Sequence, residues 1–456
     1  MATLVTYLDD IQHRLDALAR QHSIPGATLA ISRGDELLDF ATGVINLRTG
    51  VPTTTDTVFQ IGSNTKVMTT TLIMQLVDDG KVELDAPART YVPSFELAVP
   101  GADQITIRQL LTHTSGIQGD FFDGFGRGDE AIGRYVDALR TLDLVHPSGQ
   151  MWSYCNSGFV LAGYVAEQVT GVPYRKLLRD RIARPAGLPS VTVLVEEMAA
   201  SRMAVGHLTG GDGRPAVPPA VIMEYSCAPA GSRTVATAGD LARFARIHLA
   251  GGRLPDGSPL LSAASARAMQ EIQLPRPMTA DAPHWQGVGW LLEDWDGVRV
   301  IGHGGGTIGQ TSFLQAIPDQ DLIITLLTNS DQGGLLWRDL GRWLFETLAD
   351  VSMPRVPQPA DPAPDLPLEN YAGTYERLGF RYELSVEDGG LVMRVQVSGP
   401  LAKFSPEPLP LRRLWPVTRE SFYLGTDDGE TLATFSDFED GKPAYLFLGR
   451  VARRTS

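Results

Sequence analysis

Six prolines fall between positions 354 and 367 of this 456-residue chain. Proline has no amide hydrogen and a fixed φ, so such a stretch enters neither a helix interior nor a central strand. It is extended and semi-rigid, and reads as a linker between two folding units, residues 1–353 and 368–456. Beyond it the pattern is short alternating strands. Residues 381–386 and 391–397 flank Glu387-Asp388-Gly389-Gly390 and predict a hairpin. Residues 422–425, 431–435 and 445–448 continue the pattern around Asp427-Asp428-Gly429 and Asp440-Gly441. About ninety residues of this kind predict a small antiparallel β-barrel.

Before the linker the pattern of helices and strands is mixed, giving an α/β (α+β) class. Residues 27–32 and 36–41 predict a hairpin across Arg33-Gly34-Asp35. A long apolar helical run follows Ser63 and stops at Gly80. Further helices are expected at 107–111, 131–142, 158–169 and 335–349, and strands at 287–292, 299–302, 311–317 and 322–329. The economical arrangement is one antiparallel sheet assembled from both ends of the region, with an all-helical insertion between.

Charge and cysteine usage narrow the function classes. A net charge of −14, without a basic run, argues against nucleic acid as a partner. No apolar stretch reaches membrane-spanning length. Residues 1–20 have helical amphipathic spacing rather than the apolar core of a secretion signal. Cys155 and Cys227 make no disulfide framework. The expectation is a soluble, monomeric, cytoplasmic enzyme. No His/Cys/Asp cluster has metal spacing, and neither metal nor cofactor is expected.

Three segments carry chemistry. In Ser63-Asn64-Thr65-Lys66, three-residue spacing sets Ser63 and Lys66 side by side on one helical face. A neutral lysine can take the proton of a serine hydroxyl; an arginine cannot. Only five of the 39 lysines and arginines are lysine, so Lys66 is not background composition. In Ser153-Tyr154-Cys155-Asn156, the phenol of Tyr154 can shuttle a proton and the carboxamide of Asn156 can hold a substrate carbonyl. In Gly302-His303-Gly304-Gly305-Gly306, the glycines let a substrate backbone lie against an edge strand. The amides of Ser63 and Gly306 are then the expected oxyanion donors.

Blander readings stand beside these. Ser63 also suits a helix N-cap, Tyr154 and Asn156 suit a turn, and His303 suits a satisfied structural histidine. His113 reads as structural, and Cys155 as a small buried side chain. Trp152, Trp285 and Trp290 either line a peptide pocket or pack as core; Trp152, beside Tyr154, is carried forward as substrate-binding. Arg450 could reach the cleft from the barrel, but a solvated strand-end arginine is the default.

The ordered set resembles the penicillin-binding-protein and class C β-lactamase superfamily of active-site serine enzymes over roughly residues 10–350. Ser63-Asn64-Thr65-Lys66 matches its Ser-x-x-Lys and Tyr154-Cys155-Asn156 its Tyr-x-Asn, while His303-Gly304-Gly305 stands in the place of Lys-Thr-Gly. Leu110-Leu111-Thr112-His113-Thr114-Ser115-Gly116 and Ala230-Gly231-Ser232 are similar to further family stretches. The resemblance implies a β-lactamase/transpeptidase-like domain, with Ser63, Lys66, Tyr154, Asn156 and His303 as catalytic residues. Gly304, Gly305 and Gly306 would bind substrate and oxyanion. Histidine in place of the third motif's lysine argues against an efficient β-lactamase. The lipocalin-like barrel after a proline-rich linker is similar to that of D-amino-acid-specific peptidases and of penicillin-binding-protein-type thioesterases. The latter resemblance implies a peptidyl thioester presented by a carrier protein, a D-configured C-terminal residue, and release by head-to-tail macrolactam formation. Hydrolysis on the same fold, as a D-aminopeptidase, esterase or weak β-lactamase, is the alternative. A non-catalytic ligand-sensing homologue is a third.

Overall fold

Leu322–Thr328 is buried along its whole length, which requires cover on both faces of its sheet. The computed structural model describes residues 4–277, 281–404, 409–426 and 429–456. Its main sheet is antiparallel and contains β1 (Gly26–Arg33), β2 (Glu36–Gly43), β3 (Leu274–Pro275), β4 (His284–Gln286), β5 (Leu291–Trp295), β6 (Val298–Thr307), β7 (Gln310–Ile317) and β8 (Leu322–Thr328). The spatial order is β2-β1-β8-β7-β6-β5-β4-β3, so both ends of the region meet at the pairing of β1 with β8.

The period-two alternation sorts side chains between two cores. Ala27, Leu29 and Ile31 of β1 and Leu322, Ile324 and Leu326 of β8 face one core. Helices α1 (Leu8–Gln21) and α5 (Gly333–Ala349) cover that side, through Ile11, Leu15 and Ala19 on one and Leu336, Leu340 and Leu344 on the other. Ala30, Ile323 and Leu327 face the opposite, larger core, which holds α2 (Thr65–Asp78), α3 (Asn156–Thr170) and α4 (Ala238–Leu249). Helix α2 is buried almost all round, as a helix at the centre of a domain must be. Its threonines satisfy themselves within the helix or against neighbours: Thr70 Oγ1 donates to the Lys66 carbonyl at 2.9 Å and Thr69 Oγ1 to the Pro229 carbonyl at 2.7 Å.

One strand boundary departs from expectation. Residues 287–292 were expected as a strand, but β5 begins only at Leu291. The Gly287 amide donates to the Trp290 carbonyl at 2.9 Å, closing a turn in which Gly289 has φ +82°. The expected helix at 131–142 is α-helical only over Ala131–Ala138 and tightens to a 3-10 turn over Leu139–Thr141.

The linker carries no regular structure over residues 354–367. After it come β9 (Gly373–Arg377), β10 (Phe380–Glu387), β11 (Gly390–Val397), β12 (Arg412–Pro416), β13 (Ser421–Thr426), β14 (Gly429–Glu439), β15 (Lys442–Phe447) and β16 (Val451–Arg454). These eight strands close into a barrel, with β9 pairing to β16. The expected turn residues Asp427 and Asp428 lie outside the described residues. Among the described residues no helix is long and apolar enough to cross a membrane.

The barrel packs on the sheet–helix region. Val145 and Trp152 share an apolar cluster with Tyr445, Phe447 and Val451. The Val451 amide donates to Ser153 Oγ at 3.2 Å, and the Leu378 amide to Gln118 Oε1 at 3.0 Å. Segments 113–120 and 150–156 therefore lie between the helical core and the barrel.

Candidate active site

Ser63 stands in the 3-10 turn Gly62–Asn64 that leads into α2. Gly62 has φ +51°, and a Cβ there would come within 2.6 Å of the Gly306 amide nitrogen. A Cβ on Gly305 would meet the Ile61 carbonyl oxygen at 2.0 Å. Only glycine at both positions lets the turn press this closely on β6. Asn64 fastens it from behind, donating through Nδ2 to Ser312 Oγ at 2.8 Å, while Ser312 Oγ donates to the Ile61 carbonyl at 2.7 Å. The cap position is Asn64 and carries no side-chain cap, so the Ser63 hydroxyl is not spent as an N-cap.

Lys66 is fully buried. Its Nζ lies 2.9 Å from Ser63 Oγ, 2.7 Å from Asn156 Oδ1 and 2.6 Å from the Ala230 carbonyl oxygen. All three hydrogen-bonding neighbours are uncharged. Burial drives its pKa well below the usual lysine value, and the Arg450 guanidinium pushes in the same direction. A neutral amine can accept a proton from the hydroxyl beside it.

Tyr154 is hydrogen-bonded to Ser63, and its ring lies 4.8 Å from Lys66 Nζ. Burial raises its pKa, outweighing the Ser63 hydrogen bond that lowers it, so the phenol keeps its proton. The ring stacks on His113, with centroids 4.3 Å apart. His113, at φ +59°, accepts at Nδ1 from the Cys155 amide at 2.9 Å. It thereby holds both the ring and the backbone of the Tyr154 segment. Cys155 Sγ accepts from the Gly158 amide at 3.2 Å and caps α3, which begins at Asn156. Burial raises the Cys155 thiol, consistent with a capping rather than a nucleophilic part.

A cavity of about 440 Å³ opens in front of Ser63. Tyr154, Asn156 and Gly304–Gly306 line it, as do Ala230, Gly231 and Ser232. Phe122 and Met223 supply an apolar wall, and the barrel supplies Arg377, Phe380 and Arg450. Asp120 lines it too, its side chain only 4% exposed, and meets both barrel arginines: Arg377 donates to Oδ2 at 2.6 Å and Arg450 to Oδ1 at 2.8 Å.

Three expectations change here. His303 lies on β6, but its imidazole is buried and does not line the cavity. Its ring centroid is 6.2 Å from that of Tyr154, and Nδ1 pairs with the Gly304 carbonyl at 2.5 Å. Burial lowers its pKa to about 3, so the imidazole is neutral where the motif's lysine would be a cation. Trp152 likewise stays out of the cavity: its indole donates to Gln286 Oε1 at 2.9 Å and packs on Phe447 of the barrel. Arg450 is no solvated strand end; its guanidinium sits 5.0 Å from the Tyr154 ring centroid. Asp120 and Arg377 escaped the sequence reading altogether, since single charged residues in loops and hairpins carry no spacing signal. Among the described residues no group of three or more His, Cys, Asp or Glu side chains is placed to hold a metal ion.

Comparison with known proteins agrees with this geometry. The family model described as Beta-lactamase matches residues 10–371. Penicillin-binding protein 4 of Amycolatopsis lactamdurans is 43% identical over 374 residues, covering 81% of this chain and 97% of that protein. The crystal structure of SurE aligns over 99% of this chain and 100% of its own, with a TM-score of 0.81 at 27% identity; SurE with D-Leu aligns with a TM-score of 0.78. D-amino acid amidase from Ochrobactrum anthropi SV3, complexed with L-phenylalanine amide, gives a TM-score of 0.60 at 25% identity over 71% of this chain and 91% of its own. The motif order, the fold and these matches agree: the chain belongs to the beta-lactamase family, among the penicillin-binding-protein homologues, whose members are serine hydrolases and acyltransferases.

Proposed function

We propose that this protein forms an acyl-enzyme on Ser63 from a peptidyl thioester with a D-configured C-terminal residue, and passes the acyl group to the peptide's own amine to give a macrolactam. The hydrogen-bonding at Lys66 carries the acyl-serine part. A neutral amine has two N–H donors and one lone pair. Asn156 Oδ1 and the Ala230 carbonyl are acceptors and take the donors, which leaves the lone pair for the Ser63 hydroxyl.

The steps follow from that. Lys66 takes the proton as Ser63 Oγ attacks the thioester carbonyl. The oxyanion sits on the amides of Ser63 and Gly306, each worth about 3 kcal/mol in such a site. The thiolate leaves with the Lys66 proton, relayed by the Tyr154 hydroxyl. The incoming amine then attacks, its proton returns through Tyr154 to Lys66, and Ser63 recovers it on release. The apolar wall of Phe122, Met223 and Phe380 favours a folded peptide amine over water. D-configuration is supported by the likeness to SurE with D-Leu and to D-amino acid amidase. End-to-end likeness to SurE, barrel included, supports a substrate that touches both units. A carrier protein would present it.

Hydrolysis is the second reading, favoured by the likeness to an amidase. Incubation with a peptidyl thioester mimic bearing a D-configured C-terminus tests both by mass spectrometry. Ser63→Ala should abolish the acyl-enzyme. Cyclic product supports the amine acceptor, and linear acid alone would replace it with water. Acylation at another residue would overturn the nucleophile.

A further inference from the structure

Resting on the acyl-serine reading, we propose that Asp120 is a positioning residue for Asn156, and that Arg377 and Arg450 of the barrel hold it there. A carboxamide has an acceptor end and a donor end of nearly equal shape, and its neighbours decide which way it points. Asn156 Nδ2 donates to Asp120 Oδ1 at 3.3 Å, and that fixes Oδ1 toward Lys66 Nζ at 2.7 Å. Reversed, the amide would offer N–H to the lysine lone pair, the pair that must receive the Ser63 proton. Asp120 therefore keeps Lys66 available as a base without touching a reacting atom.

The barrel completes this device. Asp120 lies 257 residues from Arg377 in sequence, and the two side chains are 4% and 8% exposed. Arg377 is held by further contacts: its guanidinium carbon lies 3.7 Å from the Phe380 ring centroid, and Nε donates to the Tyr382 hydroxyl at 3.2 Å. A chain of hydrogen bonds thus runs from Arg377 through Asp120 and Asn156 to Lys66 and Ser63. The other ionisable groups facing Lys66 are Arg450, Tyr154, His113, His303, Cys155 and Cys227. Of the groups bearing on its charge, Asp120 is a carboxylate that favours protonated lysine, while Arg450 opposes it.

The test uses the full chain and an alkyl fluorophosphonate, which bonds to an activated serine oxygen with loss of fluoride. Labelling rates are measured against pH. Asp120→Asn should slow labelling about 10- to 100-fold, the worth of one hydrogen bond to a charged group. The acid limb of its profile should move to lower pH, because a negative charge near Lys66 is gone. Asp120→Asn added to Asn156→Ala should cost nothing further, since one acts through the other. Arg377→Met should slow labelling about tenfold, with Arg377→Lys recovering most of it. Additive losses with an unmoved acid limb would assign Asp120 a structural part only and overturn the proposal, as would wild-type labelling in Asp120→Asn. Equal labelling of Ser63→Ala and wild type would instead remove the acyl-serine reading, and positioning with it.

Discussion

Behind one wall of the cavity Lys66 and His113 lie buried and Tyr154 half-buried, with no opposite charge bonded to them; on the other, Asp120 is paired with Arg377 and Arg450. The first wall is built from α2, the turn that follows Ile107–Leu111 and the segment leading into α3, beside the larger core. The second straddles the helical insertion and the barrel. Burial without a charged partner keeps titratable groups neutral, and a neutral lysine is what base catalysis needs. Burial with partners keeps charges charged, and charged pairs hold two units in one geometry. A single cavity draws on both regimes: the proposed acyl-serine chemistry needs a base, and the boundary with the barrel is clasped by ion pairs.

The largest effect should come from putting a permanent charge on the neutral wall. Lys66→Arg cannot accept the Ser63 proton and should cut acyl-enzyme formation by roughly 10²- to 10⁴-fold, measured by mass spectrometry. In the wild type the same rate should fall as pH drops through the Lys66 pKa, which burial places well below the usual lysine range. An acid limb near the ordinary lysine value would break the contrast between the walls.

On the charged wall the expected loss is stability. Asp120→Ala leaves two arginines facing each other without their carboxylate and should destabilise by about 3–5 kcal/mol in denaturant unfolding. Equal unfolding midpoints would mean that the barrel is held by its apolar cluster with Trp152 and by its backbone hydrogen bonds to Ser153 and Gln118 instead.

The smallest effect concerns Glu167, near the C-terminal end of α3. Burial raises its pKa to about 7, although the Tyr174 amide donates to Oε1 at 2.6 Å. A folded-state pKa above the unfolded one means that the folded state holds the extra proton. Stability therefore falls as pH rises from about 4.5 to about 7, by roughly 1–3 kcal/mol. Glu167→Gln should flatten that slope in thermal melts between these pH values. An unchanged slope would place the titrating group elsewhere.

Much of this architecture is legible in residue order because it repeats. Alternation marks the barrel hairpin at Phe380–Glu387 and Gly390–Val397, and unbroken hydrophobicity marks Leu322–Thr328. Leu274–Pro275 and His284–Gln286 have two and three residues, too few to carry a period, and their place at the sheet edge comes from pairing alone. Trp152 illustrates another limit. An indole beside a predicted catalytic tyrosine suits a substrate wall and an interface equally, and Phe447, more than 250 positions later, makes it an interface.

Residue order alone was enough to put Ser63 on a turn, Lys66 one helical turn along, and a barrel after the proline-rich stretch, because spacing, proline and alternation are local properties. Folding was needed to bury and neutralise His303, to set His113 behind Tyr154, and to close Arg377 and Arg450 on Asp120. Those outcomes depend on burial and on contacts between distant segments. Desolvation and pairing act through space, so no window of neighbouring residues records them.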